Sequence, residues 1–215
     1  MEGKHFLNRR DFLKTSAVAA SGLAGLVAMP ASCSWPDNSG ASGSIHIIGQ
    51  REGFSPQVGI LVSMLNWMRH VVVNSVQGLG QKELDYLHDA KANTIGALLL
   101  HLAAVEVFYQ VNTFTPRKQL HAAEQKQWQV PLDLGKAGRE HIKGYDLSYY
   151  IETLHRVRQK TLTEFGRRDD QWLEQVDPSF FDNLPTNNYC KWFHVCEHES
   201  NHNGQIKWIK NRLPF

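Results

Sequence analysis

The sequence predicts an all-α protein: an up-down four-helix bundle with a long crossover between the second and third helices. Three observations carry this. Four long segments place their apolar residues at helical spacing. No stretch of useful length alternates polar and apolar residues as a strand does. Helices that each carry one apolar stripe can hide it only against one another. The chain has 215 residues, 42% of them hydrophobic, which suits one domain with a sizeable core.

The first helix is expected from about Ser55 to Val76, with Ser55 as N-cap and Pro56 in the first turn. Its stripe is read as Ile60, Met64, Trp67, Met68 and Val71, and Gly78-Leu79-Gly80 ends it. The second, about Asn93 to Asn112, is apolar nearly all round, as befits a helix inside a bundle, with His101 and Glu106 as polar exceptions. A polar connection from Thr115 to Tyr145 follows, with room for a short helix around Gln119 to Trp128. The third helix, about Leu147 to Arg167, has Leu147, Tyr150, Ile151, Leu154, Val157, Thr161 and Leu162 on one face and charges on the other. A linker from Pro178 to Pro185 leads to the last helix, about Asn187 to Arg212, with Thr186 as its expected cap.

Charge narrows the class of partner. The first 33 residues carry Lys4, Arg9, Arg10 and Lys14 against Glu2 and Asp11, which accounts for the whole formal excess of +2. The remainder is neutral and lacks the basic footprint that nucleic-acid binding needs, so no nucleic acid is expected. Arg9-Arg10-x-Phe12-Leu13-Lys14 followed by the small, apolar stretch Ala17 to Met29 reads as a twin-arginine export signal over residues 1–33. Ala31-Ser32-Cys33 leaves two endings open, acylation of Cys33 as a lipid anchor or simple cleavage. Residues 34–54 read as a linker and 55–215 as the bundle. The expected location is the periplasm or cell envelope, and a homodimer is compatible with the sequence. Cys190 and Cys196, six residues apart on one helix, point about 240° apart. Both are expected in the core, without a mutual disulfide.

The chemistry concentrates in Phe193-His-Val-Cys-Glu-His-Glu-Ser-Asn-His202. Side chains four residues apart on a helix lie about 5–6 Å apart, so His198 and His202 can reach one ion, as can His194 and His198. His194 and His202 are two turns apart, roughly 12 Å along the axis, so all three do not share an ion. A third ligand comes from another helix, and His101, an imidazole inside an apolar run, is the candidate. Three imidazoles with an open position suit a divalent transition metal such as zinc, nickel or iron. Glu197 and Glu199 turn away from His198 and are expected to be solvated or to support the site from outside. Glu106 is expected to bond to a neighbouring helix.

"NTIGALLLHLAAVEVFY", "DLSYYIETLHRVRQKTL" and "HVCEHESNHNGQI" together resemble the DinB/YfiT-like metalloprotein superfamily, over roughly Ser55 to Pro214. The resemblance implies a four-helix bundle whose metal ligands here are His101, His198 and His202. His194 then lies one turn from the pair, and Gly204 is expected to let a neighbouring helix approach. Some members transfer small bacterial thiols to electrophiles. The expectation is an exported metal-binding protein acting on an unknown small molecule, as a metal-dependent hydrolase or transferase. The alternative is a non-catalytic metal-binding or interaction bundle at the envelope.

Overall fold

A computed structural model describes residues 44–214. The export signal, Cys33 and the first part of the linker lie outside the described residues. In chain order the elements are α1 (Pro56–Val76), α2 (Gln81–Leu84), α3 (Ile95–Phe114), α4 (Ala122–Asp133), α5 (Gly135–His141), α6 (Leu147–Phe165), α7 (Asp170–Glu174), β1 (Val176–Phe181), β2 (Leu184–Asn187) and α8 (Asn188–Lys210). The long helices α1, α3, α6 and α8 form the expected all-α bundle.

Contacts along the helices give their directions. Arg69 meets Glu199 and Ser75 meets Lys210, so α1 and α8 run the same way. Gly96 abuts Tyr150 and Gln110 bonds Thr161, so α3 and α6 also run together. Asn112 bonds Lys191 while His101 lies beside His198, so α3 and α8 are antiparallel. The order up, down, down, up explains the long crossover: α4 and α5 must carry the chain back along the bundle before α6 begins.

Local chemistry sets the helix ends. Ser55 occupies the N-cap of α1, but its hydroxyl donates to Asp170 Oδ1 at 2.6 Å instead of capping. The same Asp170 oxygen accepts from the Gln57 and Val58 N–H groups, so α7 supplies the cap. Thr94 caps α3 by accepting from Ala97 N–H. For α8 the cap is Asn187, not Thr186, with its side chain accepting from Cys190 N–H. Of the linker, residues 44–54 are described, and Gly49 N–H bonds Ser63 Oγ on α1.

Two expectations need correcting. The span read as a linker between Pro178 and Pro185 is an antiparallel hairpin, with Phe181 paired to Leu184. Its two-residue turn, Asp182-Asn183, has both residues at positive φ, as a hairpin turn of matching twist requires. The buried stripe of α1 is Val58, Leu61, Val62, Leu65, Arg69, Val72 and Val76, whereas Ile60, Met64, Trp67, Met68 and Val71 are half-buried beside it. The true stripe includes an arginine, which disguises it.

That arginine belongs to a layer of charge inside the bundle. Arg69 Nη2 donates to Glu106 Oε2 at 2.8 Å and to Glu199 Oε1 at 2.6 Å. Arg158 Nε donates to Glu106 Oε1 at 2.7 Å, and its Nη2 donates to Glu199 Oε1 at 2.7 Å. Leu154 and Leu65 carbonyls accept further guanidinium hydrogens, and Thr161 donates to Glu106 at 2.6 Å. Each of the four long helices contributes one charge. Along α1, α6 and α8 the layer falls between two apolar clusters, one around Trp192, Phe165 and Leu61, the other around Tyr150, Ile206 and Ile95. Burial pushes the Glu106 carboxyl up, but Arg158 and Arg69 outweigh it and hold it below its ordinary range. Glu106 thus bonds to neighbouring helices as expected. Glu199 is only 1% exposed, so it is neither solvated nor facing the histidines.

Candidate metal centre

The α3 segment Ile95–Phe114 is apolar on all sides because other helices surround it, and His101 is 9% exposed within it. A buried imidazole needs partners for its nitrogens. Its Nδ1 lies 2.9 Å from the Pro131 carbonyl. Pro131 sits in the last turn of α4, where carbonyls lack donors from their own helix. The crossover therefore supplies the acceptor that holds the Nδ1 proton and leaves Nε2 of His101 as a lone pair.

From α8, His198 and His202 reach the same place. His198 Nε2 lies 3.0 Å from His101 Nε2. His202 Nδ1 lies 3.0 Å from Gln205 Oε1, an acceptor that holds its proton there and leaves Nε2 open. One nitrogen from each of His101, His198 and His202 falls within 4.8 Å of the others, a group that could hold a metal ion. Two imidazoles bound at about 2.0–2.1 Å to one ion stand roughly 3–3.5 Å apart, which the His101–His198 pair already matches.

The electrostatics favour neutral rings. Burial pushes the His198 imidazole down to about 3, helped by His202 and His101. Burial also lowers His101 and His202. Neutral imidazoles are the form that binds metal. The donor set fits a divalent transition ion: three neutral nitrogens, two of them oriented by an acceptor behind the ring.

Around this cluster the structure places the other candidates. The His194 ring lies one turn before that of His198, tilted against it with ring centres 5.4 Å apart, and its Nδ1 faces Glu197 at 3.1 Å. It is outside the three-histidine group and meets Phe181 of the hairpin and Tyr109 of α3, at 5.3 and 5.9 Å between ring centres. Cys196 is buried, and burial raises its thiol to about 11, so it stays protonated. Cys190 is exposed, contrary to the expectation of a core position. Both are free thiols. Gly204 does not admit a neighbouring helix, because a side chain there would meet nothing within 4 Å. It borders a pocket instead. Sequence reasoning missed Pro131 and Gln205 as ring anchors. Gln205 carried a signal, a carboxamide three residues after His202 on the same helix.

A family model described as Mycothiol-S-transferase matches residues 60–213, which include all three histidines. No curated protein matches the chain significantly.

Proposed function

The chain belongs to the mycothiol-S-transferase family, and from that premise we propose that it is a metal-dependent thiol S-transferase, with His101, His198 and His202 holding a divalent transition metal. The observation that carries this reading is the convergence of three neutral imidazoles, two of which, His101 and His202, have acceptors elsewhere for their protons. An ion held there would act as a Lewis acid and lower the pKa of a thiol or water that joins it.

The chain's own residues do the rest. Pro131 and Gln205 fix the His101 and His202 rings, so the donors are set before the metal arrives. The buried Arg–Glu layer holds α3 and α8 in register, and with them the ligands. On one side of the histidines, Phe181, Phe180, Tyr109 and His194 form an aromatic wall suited to an apolar electrophile. In the transfer, sulfur bonds to the electrophilic carbon as the leaving group departs, and the thiol proton passes to solvent.

A direct test follows conjugate formation between a small thiol and an aryl halide, using zinc-loaded protein, metal-stripped protein and His101→Ala. Acceleration confined to the zinc-loaded wild type supports the reading. Equal rates with metal-stripped protein overturn it. The twin-arginine pattern at Arg9-Arg10-x-Phe12-Leu13-Lys14 favours a second reading, hydrolysis by the same centre, because an exported protein meets water readily and cytoplasmic thiols poorly. Export belongs to this second reading and would let the metal be loaded before the folded chain leaves. Zinc-dependent cleavage of an activated ester, without thiol conjugation, would select hydrolysis.

A further inference from the structure

The outer side of α1 carries no charge. Over Pro56–Val76 the only Lys, Arg, Asp or Glu is Arg69, which is fully buried in the layer at the centre of the bundle. The other bundle helices with an open side show charge there, Glu152, Arg156 and Lys160 on α6 and Glu197 and Lys207 on α8. On α1 a second apolar stripe takes that place. Ile60, Met64, Trp67 and Val71 recur at steps of four, three and four residues. A rotation of 100° per residue turns them away from Leu61, Leu65 and Val72 of the buried stripe. All four are half-buried, so part of each reaches the surface.

The segment before α1 adds to this side. Ile47 N–H donates to the Ser44 carbonyl at 2.9 Å, and Arg51 Nη2 donates to the Ile47 carbonyl at 2.7 Å. Gly49 N–H donates to Ser63 Oγ at 3.1 Å, and the His46 ring meets Trp67 with centres 4.8 Å apart. These contacts hold Ile47 and Ile48 in a turn where they are 55% and 47% exposed. Two adjacent isoleucines fixed in water oppose the hydrophobic effect, and an apolar medium relieves them. Of the polar groups at the edge of the stripe, His70 and Asn74 already face each other, Nε2 to Nδ2 at 2.8 Å. A protein interface draws on a polar rim of hydrogen bonds, whereas a lipid surface needs apolar side chains and an aromatic ring near the headgroups.

The path of the chain points the same way. It enters the described structure at Ser44, three residues before Ile47, and the residues ahead of it include the apolar stretch Ala17 to Met29. Fifteen residues lead from Met29 to Ser44 and span about 50 Å at full extension. A stretch of that composition favours a bilayer, within reach of the side where Ser44 lies.

We propose that this side of the protein rests on a lipid bilayer. Ile47 and Ile48 enter the acyl boundary, Trp67 lies at headgroup depth, and Ile60, Met64 and Val71 cover the apolar area between. The contact is independent of the metal centre.

The test uses the full chain with vesicles of phosphatidylethanolamine and phosphatidylglycerol. Hydroxyl-radical oxidation, read residue by residue by mass spectrometry, reports which side chains lose contact with water. Vesicles are expected to slow oxidation of Ile47, Met64 and Trp67 and to leave Tyr149 and Trp208, exposed on other helices, unchanged. Ile47→Asp with Ile48→Asp is expected to restore Trp67 oxidation in the presence of vesicles and to lower the vesicle partition coefficient about tenfold or more. Both isoleucines are exposed, so the circular dichroism of the variant is expected to match wild type. Sedimentation with vesicles while Ile47, Met64 and Trp67 oxidise at their lipid-free rate would assign the contact to other residues and overturn the proposal. Failure to bind vesicles overturns it as well. Slowed oxidation that appears with rising protein concentration and no lipid would show that a second copy covers this side, and the bilayer proposal would fall.

Discussion

His198 and Glu199 are adjacent in the chain and serve opposite environments. His198 Nε2 meets His101 Nε2 at 3.0 Å, while Glu199 Oε1 accepts from both Arg69 and Arg158 in the centre of the bundle. The rotation of α8 about its axis is thus fixed by ion pairs on one face, and that rotation aims the histidines on the next. Removing one partner from a buried pair leaves an uncompensated charge and costs about 3–5 kcal/mol. Glu199→Gln and Glu106→Gln are expected to lower unfolding stability in urea by that order. A loss below about 1 kcal/mol in both would show that the layer is not a structural anchor.

The same layer predicts strong coupling. Glu106 and Arg158 share two hydrogen bonds, through Nε and Nη2. The double variant Glu106→Leu with Arg158→Met is expected to lose less stability than the two single variants added together, by about 1–3 kcal/mol. Additive losses in the double-mutant cycle would contradict this.

Acid should destabilise the metal-free protein through its histidines. The folded pKa of His198 lies near 3, and those of His101 and His202 are also below the ordinary 6.5. In the unfolded chain these rings take up protons as pH falls through about 6.5, whereas in the folded chain they do not. The stability they allow is complete above that pH and declines as pH drops toward 3. Thermal melts from pH 7.5 to 4.5 are expected to fall more steeply for metal-free wild type than for His198→Ala. Parallel slopes would mean that the rings already titrate normally.

Two glycines should respond in opposite directions. A Cβ at Gly59 would sit 2.6 Å from the Arg51 backbone nitrogen, and backbone cannot swing aside. Gly59→Ala is expected to cost about 1–3 kcal/mol. At Gly204 a Cβ meets nothing within 4 Å, and Gly204→Ala is expected to stabilise α8 by roughly 0.5–1 kcal/mol. Denaturant midpoints measure both.

The bundle and the histidine triad were readable because each rests on local spacing. Helical geometry alone singles out an imidazole inside the run around His101 and a four-residue spacing on the last helix, but it allows His194 with His198 as well as His198 with His202, and the family resemblance chose the second pair. The charge layer was not readable from the same rule. Arg69 lies four residues from Leu65 and three from Val72, inside the buried stripe, and Arg158 follows Leu154 by four. A stripe that includes a charge looks like a solvated face until the opposite charges on other helices are in view. The hairpin escaped because its strands hold Pro178 and Pro185 and bury few residues, so the two-residue pattern never forms. The ring anchors divide the same way. Gln205 is local to His202, while Pro131 reaches His101 only through the path of the crossover.

Metal content per chain tests the central claim most directly. Metal-free wild type, His101→Ala, His198→Ala, His202→Ala and His194→Ala would each be incubated with zinc, passed through a desalting column and assayed for bound ion. One ion per chain is expected for wild type and His194→Ala, and loss of tight binding for each of the other three. Failure of the wild type to retain zinc, nickel or iron, or retention by His101→Ala at the wild-type level, would contradict a single metal centre shared by α3 and α8.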